Sequence, residues 1–325
     1  MRRRDALSGL LIACAAPGVL AQAGRKATVG VLIPTAETDA ENPPRLAAFA
    51  GVLEKAGWRR GENLRIEVRH AVGDEQLRTR LRELVALDPA VLLIQSNQAL
   101  AIARDEKVAI PIVFVAVADP VGSGFVANLA RPGGNLTGFA NFGPETGGKW
   151  LQVLRQIAPR TRSVALLLNP TIAANRQLAS SVEAAAGPLG MAVTTAAVTD
   201  SGSLEQALAG LAGKRDWGII VLPNPTNSQH RKQIIEAAAR HRVPAVYPFA
   251  FFARNGGLVA YGVDVKATYE SVAGYVDRIL RGTKAGDLQV QQPTKYELVI
   301  NMATARALGL EVPVAQLALA DEVIE

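Results

Sequence analysis

Two successive series of short apolar runs and helical patterns leave few folds open to this chain. Residues 28–33 are aliphatic and β-branched and stop at Pro34, and residues 46–56 carry apolar residues at helical spacing and stop at Gly57. Residues 64–68 alternate, residues 75–87 repeat apolar positions at Leu77, Leu81, Leu84 and Val85, and residues 91–94 are apolar throughout. A short run that is apolar on every residue has no solvent face, so it fits a parallel strand covered by helices on both sides. A helix over 99–107 and an apolar strand over 111–118, stopped by Asp119-Pro120, complete the first series. The second predicts a strand over 164–168, a helix over 174–186, a strand over 192–198, a helix over 204–212 and a strand over 218–222. A helix over 229–241 and strands over 244–247 and 258–261 follow. Alternation of this kind predicts an α/β protein with parallel sheets.

The two series also match in detail. Val29-Gly30-Val31-Leu32-Ile33-Pro34-Thr35 resembles Val164-Ala165-Leu166-Leu167-Leu168-Asn169-Pro170-Thr171, and Ile110-Pro111-Ile112-Val113-Phe114 resembles Val243-Pro244-Ala245-Val246-Tyr247. The shared order, at an offset of about 130 residues, indicates two Rossmann-like α/β lobes of similar topology. A chain of 325 residues that is 49% hydrophobic can supply two cores and is too apolar for disorder. Outside the N-terminus no apolar run reaches the roughly 18–20 residues of a membrane span.

Residues 1–23 read as an export signal. Arg2, Arg3 and Arg4 form a positive stretch, residues 6–16 are apolar, Pro17-Gly18 breaks them, and Ala21-Gln22-Ala23 offers a small-x-small cleavage site. Arg3-Arg4-Asp5-Ala6-Leu7 fits the twin-arginine route as well as general secretion. Leu11-Ile12-Ala13-Cys14 has the form of a lipobox, but the apolar stretch before Cys14 is short, so a soluble periplasmic chain is preferred to one anchored by lipid at Cys14. Cys14 is the only cysteine, so cleavage after Ala23 leaves no thiol for a disulfide, a nucleophile or a metal.

The net charge of +6 falls to +4 without residues 1–23, which hold three Arg and one Asp. The remaining basic residues are scattered, with no dense cluster interleaved with aromatics, so a nucleic-acid partner is not expected. Gly122-Ser123-Gly124-Phe125-Val126-Ala127 formally fits G-x-G-x-x-A, but it follows the fourth strand and the Asp119-Pro120 interruption, and no acidic residue closes a strand about 20 residues on. His70, His230 and His241 make no i,i+4 metal pair, and the chain holds no G-x-S-x-G elbow and no P-loop. No cofactor, metal or catalytic residue is expected.

In open parallel sheets ligands sit outside the carboxyl ends of the strands. Thr35, Ser96, Asn97, Asp119, Asn169, Asn224 and Asp264 fall at such ends, accompanied by Tyr247 and Tyr261. Helices that open there offer free N–H groups to an anionic group such as a carboxylate. The same residue types also serve as turns and caps for purely local reasons.

Several stretches resemble the ABC-transporter substrate-binding protein family of the tryptophan-binding type. They are Ala118-Asp119-Pro120-Val121-Gly122-Ser123-Gly124-Phe125-Val126 and Arg131-Pro132-Gly133-Gly134-Asn135-Leu136-Thr137-Gly138-Phe139. Similar to it as well are Arg242-Val243-Pro244-Ala245-Val246-Tyr247, Tyr261-Gly262-Val263-Asp264 and Gln292-Pro293-Thr294-Lys295-Tyr296-Glu297. The resemblance runs from about Lys26 to Pro313. It departs at Gln95-Ser96-Asn97-Gln98, where the family has a Gly-, Thr- or Pro-rich turn, and at Val263, where proline is common. Both departures touch the presumed pocket, so ligand identity does not carry over.

The resemblance implies a periplasmic binding protein type I fold, with a three-segment hinge crossing near 139–142, 261–264 and 290–292. Residues 26–140 with 263–290 then form one lobe, and 141–262 with 291–325 the other. Hinge closure would trap a small polar ligand, amino acid-like or a carboxylate, and present it to an ABC permease in the inner membrane. Thr35, Asn97 and backbone N–H groups would hold its anionic end, Asp264 a cationic group, and Tyr247 with Phe249 an apolar part. Ser96, Asp119, Asn169, Asn224 and Asn141, within the first crossing, complete the expected lining. The protein would act as a monomer and not as an enzyme. An exported ligand sensor, and an exported α/β enzyme, are the alternatives.

Overall fold

The computed structural model describes residues 26–325, so the expected export signal with Cys14 lies outside the described residues. The first half runs β1 (Ala27–Ile33), α1 (Asn42–Lys55), β2 (Leu64–His70), α2 (Asp74–Ala86), β3 (Val91–Gln95), α3 (Asn97–Asp105), β4 (Ile112–Val117) and β5 (Leu136–Ala140). These strands form a parallel sheet in the order β2-β1-β3-β4-β5. The chain then builds α4 (Thr146–Ile157), β6 (Ser163–Leu168), α5 (Ala173–Ala186), β7 (Ala192–Ala197), α6 (Ser201–Ala209), β8 (Trp217–Val221), α7 (Pro225–Gln229) and α8 (Arg231–Arg240). It continues through β9 (Ala245–Tyr247), α9 (Ala250–Arg254), β10 (Val259–Gly262) and α10 (Val265–Leu280). It ends with β11 (Glu297–Asn301), α11 (Met302–Leu308), α12 (Val314–Leu319) and β12 (Glu322–Ile324).

The second sheet has the order β12-β11-β10-β9-β8-β6-β7. Its segment β7-β6-β8-β9-β10 repeats the order of the first sheet, and β1 and β4 correspond to β6 and β9, the strands whose sequences match. Every pairing is parallel except β10 with β11. The alternation of the sequence therefore yields an α/β fold of two parallel-dominated sheets.

Burial follows the pleat. Val29, Val31, Ile33, Val91, Leu93, Val113 and Val115 point to one face of the first sheet, where Phe49 and Leu53 of α1 and Tyr269, Val272 and Val276 of α10 join the same core. Leu32, Leu92, Ile94, Ile112 and Phe114 point to the other, where Leu77, Leu81 and Leu84 of α2 and Leu100 and Ala103 of α3 cover them. Each buried aliphatic side chain of this kind contributes about 1.5–3 kcal/mol through removal from water. α10 packs on α1, β3, β4 and β5, so the chain passes between the two sheets three times: after β5, after β10 and before β11. The first and third passages run side by side, where Gln291 N–H donates to Gly138 O (3.0 Å) and Ala140 N–H donates to Gln291 O (2.9 Å).

The helix expected over 229–241 is α8, and a separate short helix, α7, precedes it, with the break at His230 (φ −92°, ψ 19°). α7 begins earlier because Asn224 caps it and Pro225 occupies its first turn. Proline there blocks nothing, since the first N–H groups of a helix have no partner within it. Three non-glycine residues with positive φ lie near the edge of the first sheet that faces the second: Ser96 (84°), Ala116 (55°) and Asp119 (38°). Ala116 sits inside β4, where the register with β5 shifts between Phe114 and Val117. A bulge of this kind re-aims the chain beside a site.

Candidate ligand-binding site

The carboxyl ends of the strands of both sheets meet around one cavity of about 50 Å³, open to solvent at its mouth. Thr35 follows β1; Gln95, Ser96 and Asn97 span the turn from β3 to α3; Ala116 and Ala118 end β4; and Asn141 lies on the passage after β5. Facing them from the second sheet are Ile172 after β6, Asn224 between Pro223 and Pro225 after β8, Ser228 on α7 and Phe249 after β9. No charged side chain is among the described residues lining it.

Five of the residues expected from sequence are thus brought together: Thr35, Ser96, Asn97, Asn141 and Asn224. Most of their polar atoms are already engaged. Asn42 Nδ2 donates to Thr35 Oγ1 (3.1 Å). Ser96 Oγ accepts from the N–H of Ala99 (3.3 Å), capping α3. Asn97 clamps the end of β4: its Nδ2 donates to Ala118 O (2.7 Å), and Ala118 N–H donates to its Oδ1 (2.8 Å). Both ends of its amide are therefore engaged within the protein. Asn224 Oδ1 accepts from Asn227 N–H (2.8 Å), and its Nδ2 donates to Asn175 Oδ1 (3.3 Å). Asn141 differs, because it is buried and its Oδ1 has no hydrogen-bond partner among the described residues.

The other four expected residues lie outside this lining. Asp119 turns the chain below it, with its carboxylate accepting from Gly122 N–H (2.9 Å). Asn169 Oδ1 accepts from the N–H (3.0 Å) and hydroxyl (2.7 Å) of Thr171, a local turn. Tyr247 is 1% exposed and stacks on Phe252 at 5.0 Å in the core of the second sheet, where burial raises the phenol's pKa. A ring enclosed on that side has no face for a ligand; of the three expected aromatics, Tyr247, Tyr261 and Phe249, Phe249 alone lines the cavity. Asp264 caps α10, accepting from Ala267 N–H (3.0 Å), and borders a separate depression with Gln291, Lys295 and Glu297. It is therefore not among the residues lining the cavity, where it was expected as an ammonium partner.

Lining residues not anticipated as ligand contacts include Gln95, Ile172 and Ser228. Gln95 carries its signal in the Gln95–Gln98 departure noted above. Its Oε1 accepts from the buried Tyr269 hydroxyl (2.5 Å), which fixes the amide and leaves Nε2 as a donor. Ser228 was missed with the start of α7, and Ile172 because it lies past the Asn169-Pro170 stop.

Beside the cavity the β1–α1 loop is tied to α8. Arg231 donates to both carboxylate oxygens of Asp39 (2.9 and 3.1 Å) and to Ser228 O (3.0 Å). The guanidinium groups of Arg45 and Arg231 stand 5.4 and 5.5 Å from the Phe251 ring centre. Of the ion pairs among the described residues, Asp39–Arg231 is the one that joins the helices and loops of one sheet to those of the other.

Comparison with known proteins agrees with this architecture. A tyrosine-binding protein of Clostridioides difficile is 23% identical over 265 residues, covering 81% of this chain and 76% of that protein. A conserved domain protein of Vibrio cholerae superposes with a TM-score of 0.83 at 27% identity, covering 92% of this chain and all of that one. An ABC domain from Streptococcus pneumoniae, in complex with L-Trp, gives 0.83 at 21% identity over 92% of this chain and all of its own. Residues 39–324 match the family model for ABC transporter substrate binding proteins. With its paired sheets and a lined cavity between them, the chain belongs to the ABC transporter substrate-binding protein family, a family of binding proteins and not of enzymes.

Proposed function

We propose that the protein captures a small amino acid in the cavity between the two sheets and delivers it, chemically unchanged, to an ABC permease in the inner membrane. The observation that carries this reading is the joint lining: strand ends of both sheets and the first passage between them build one uncharged cavity. Lobes of residues 26–140 with 263–290, and of 141–262 with 291–325, would close on three segments that bend as a hinge. The N–H groups at the start of α3 and Nε2 of Gln95 would take a carboxylate, and Ile172, Pro223, Pro225 and Phe249 an apolar side chain. The tyrosine-binding relative and the L-Trp complex support an amino-acid ligand. The leader expected over residues 1–23 supports a periplasmic location.

Thermal unfolding of the purified protein against L-tyrosine, L-tryptophan, L-leucine, L-lysine and L-glutamate tests the reading. A bound ligand raises the Tm with concentration by mass action. The uncharged side chains are expected to raise it and to be recovered intact by mass spectrometry. No shift with any of the five, or a transformed product, would overturn the proposal.

A further inference from the structure

The cavity wall holds a buried acceptor with nothing to accept. Asn141 is 2% exposed, and its main-chain N–H donates to Val117 O (3.0 Å). Its side-chain Oδ1 is buried without a hydrogen-bond partner among the described residues, although the side chain lines the cavity. A buried amide oxygen left in this state destabilises the empty protein, and a ligand donor relieves it. Across the wall the chemistry is the reverse. Ser96 takes the N–H groups of Ala99 and Leu100, so those of Asn97 and Gln98 open α3 as donors. Gln95 adds Nε2, its Oε1 being occupied by Tyr269.

We propose that Asn141 selects the ligand: its Oδ1 accepts a hydrogen bond from the ammonium of an amino acid whose side chain is uncharged. This rests on the amino-acid reading above and assigns the residue that reads the amine. A zwitterion brings both of its charges and leaves the cavity neutral, as its lining is. A further charge on the ligand's side chain would be buried with no counter-charge in that lining, at a cost that excludes it. An amide in place of a carboxylate at 141 also avoids burying an unpaired negative charge when the cavity is empty.

Isothermal titration of the protein, Asn141→Leu and Asn141→Asp with L-tyrosine and desaminotyrosine tests the assignment. Desaminotyrosine keeps the ring and carboxylate and lacks the amine. The readout is the ratio of the two affinities, because general loosening of the fold weakens both probes together. Asn141→Leu is expected to lower the ratio at least about tenfold. Asn141→Asp, which keeps an acceptor, is expected to hold it at or above the wild-type value. If the wild-type protein binds L-tyrosine and Asn141→Leu leaves the ratio unchanged, Asn141 does not read the amine, while the proposed function stands. Should Asn141→Leu fail to fold, a ratio lowered by Asn141→Asp overturns the assignment equally. Where another amino acid of the panel raises the Tm and tyrosine does not, that amino acid and its desamino analogue are the probes; a wild-type protein that binds none of the panel overturns the amino-acid reading, and the assignment with it.

Discussion

Gly262 closes β10 where the chain turns toward its second passage, and a Cβ at that position would be driven into the carbonyl oxygen of Pro248. The obstruction is backbone and cannot swing aside, so Gly262→Ala is expected to cost about 1–3 kcal/mol of stability in urea unfolding. An unchanged midpoint would show that the two segments separate freely. Glu297, which opens β11, titrates above its ordinary 4.5, chiefly through burial and then through the neighbouring Asp264 carboxylate; Arg254 opposes both. A carboxyl that holds its proton more tightly when folded favours the native state below that window and loses this contribution as pH rises through it. Glu297→Gln should therefore raise the Tm at pH 7 relative to wild type and leave it nearly equal at pH 4, whereas equal shifts at both values would refute the cause given. At this scale the sequence was only partly legible. Asn97, Asn141 and Asn224 are alike as letters, yet the first clamps a strand end, the third caps a helix and the second alone keeps an unused acceptor. Hydrogen bonds to Ala118 and Asn227 make that difference, and neither leaves a mark in composition or spacing.

The elements themselves were easier to read. Apolar runs stopped by Pro34, Asp119-Pro120 and Pro223 gave β1, β4 and β8, because full burial of a parallel strand demands such runs. The matching of β1 with β6 and β4 with β9 extended to the strand order of both sheets. The long α4 and α10 escaped the reading, and so did the short α7, α9, α11 and α12, which are five to seven residues long and held by tertiary packing more than by their own periodicity. The β1–α1 loop and α8 meet through Asp39 and Arg231, whose side chains are 8% and 17% exposed. Removing one partner leaves the other's charge half-buried and alone. Asp39→Ala and Arg231→Ala are each expected to weaken ligand binding, mainly by faster release. The double variant should do no more harm than the worse single one. Strictly additive losses in that double-mutant cycle would mean that the pair is not coupled.

At the scale of the molecule, the chain places one uncharged cavity where two like sheets face each other, and it crosses between them three times. No helix among the described residues is long and apolar enough to cross a membrane. The proposed hinge requires two halves that move as bodies on three connecting segments, with little change inside either half. The account therefore stands on movement of one half against the other around a trapped solute. Small-angle X-ray scattering of the protein, titrated with a ligand from the panel to a saturation established by calorimetry, measures that movement. The radius of gyration is expected to fall in step with occupancy, and a radius unchanged at full occupancy would contradict it.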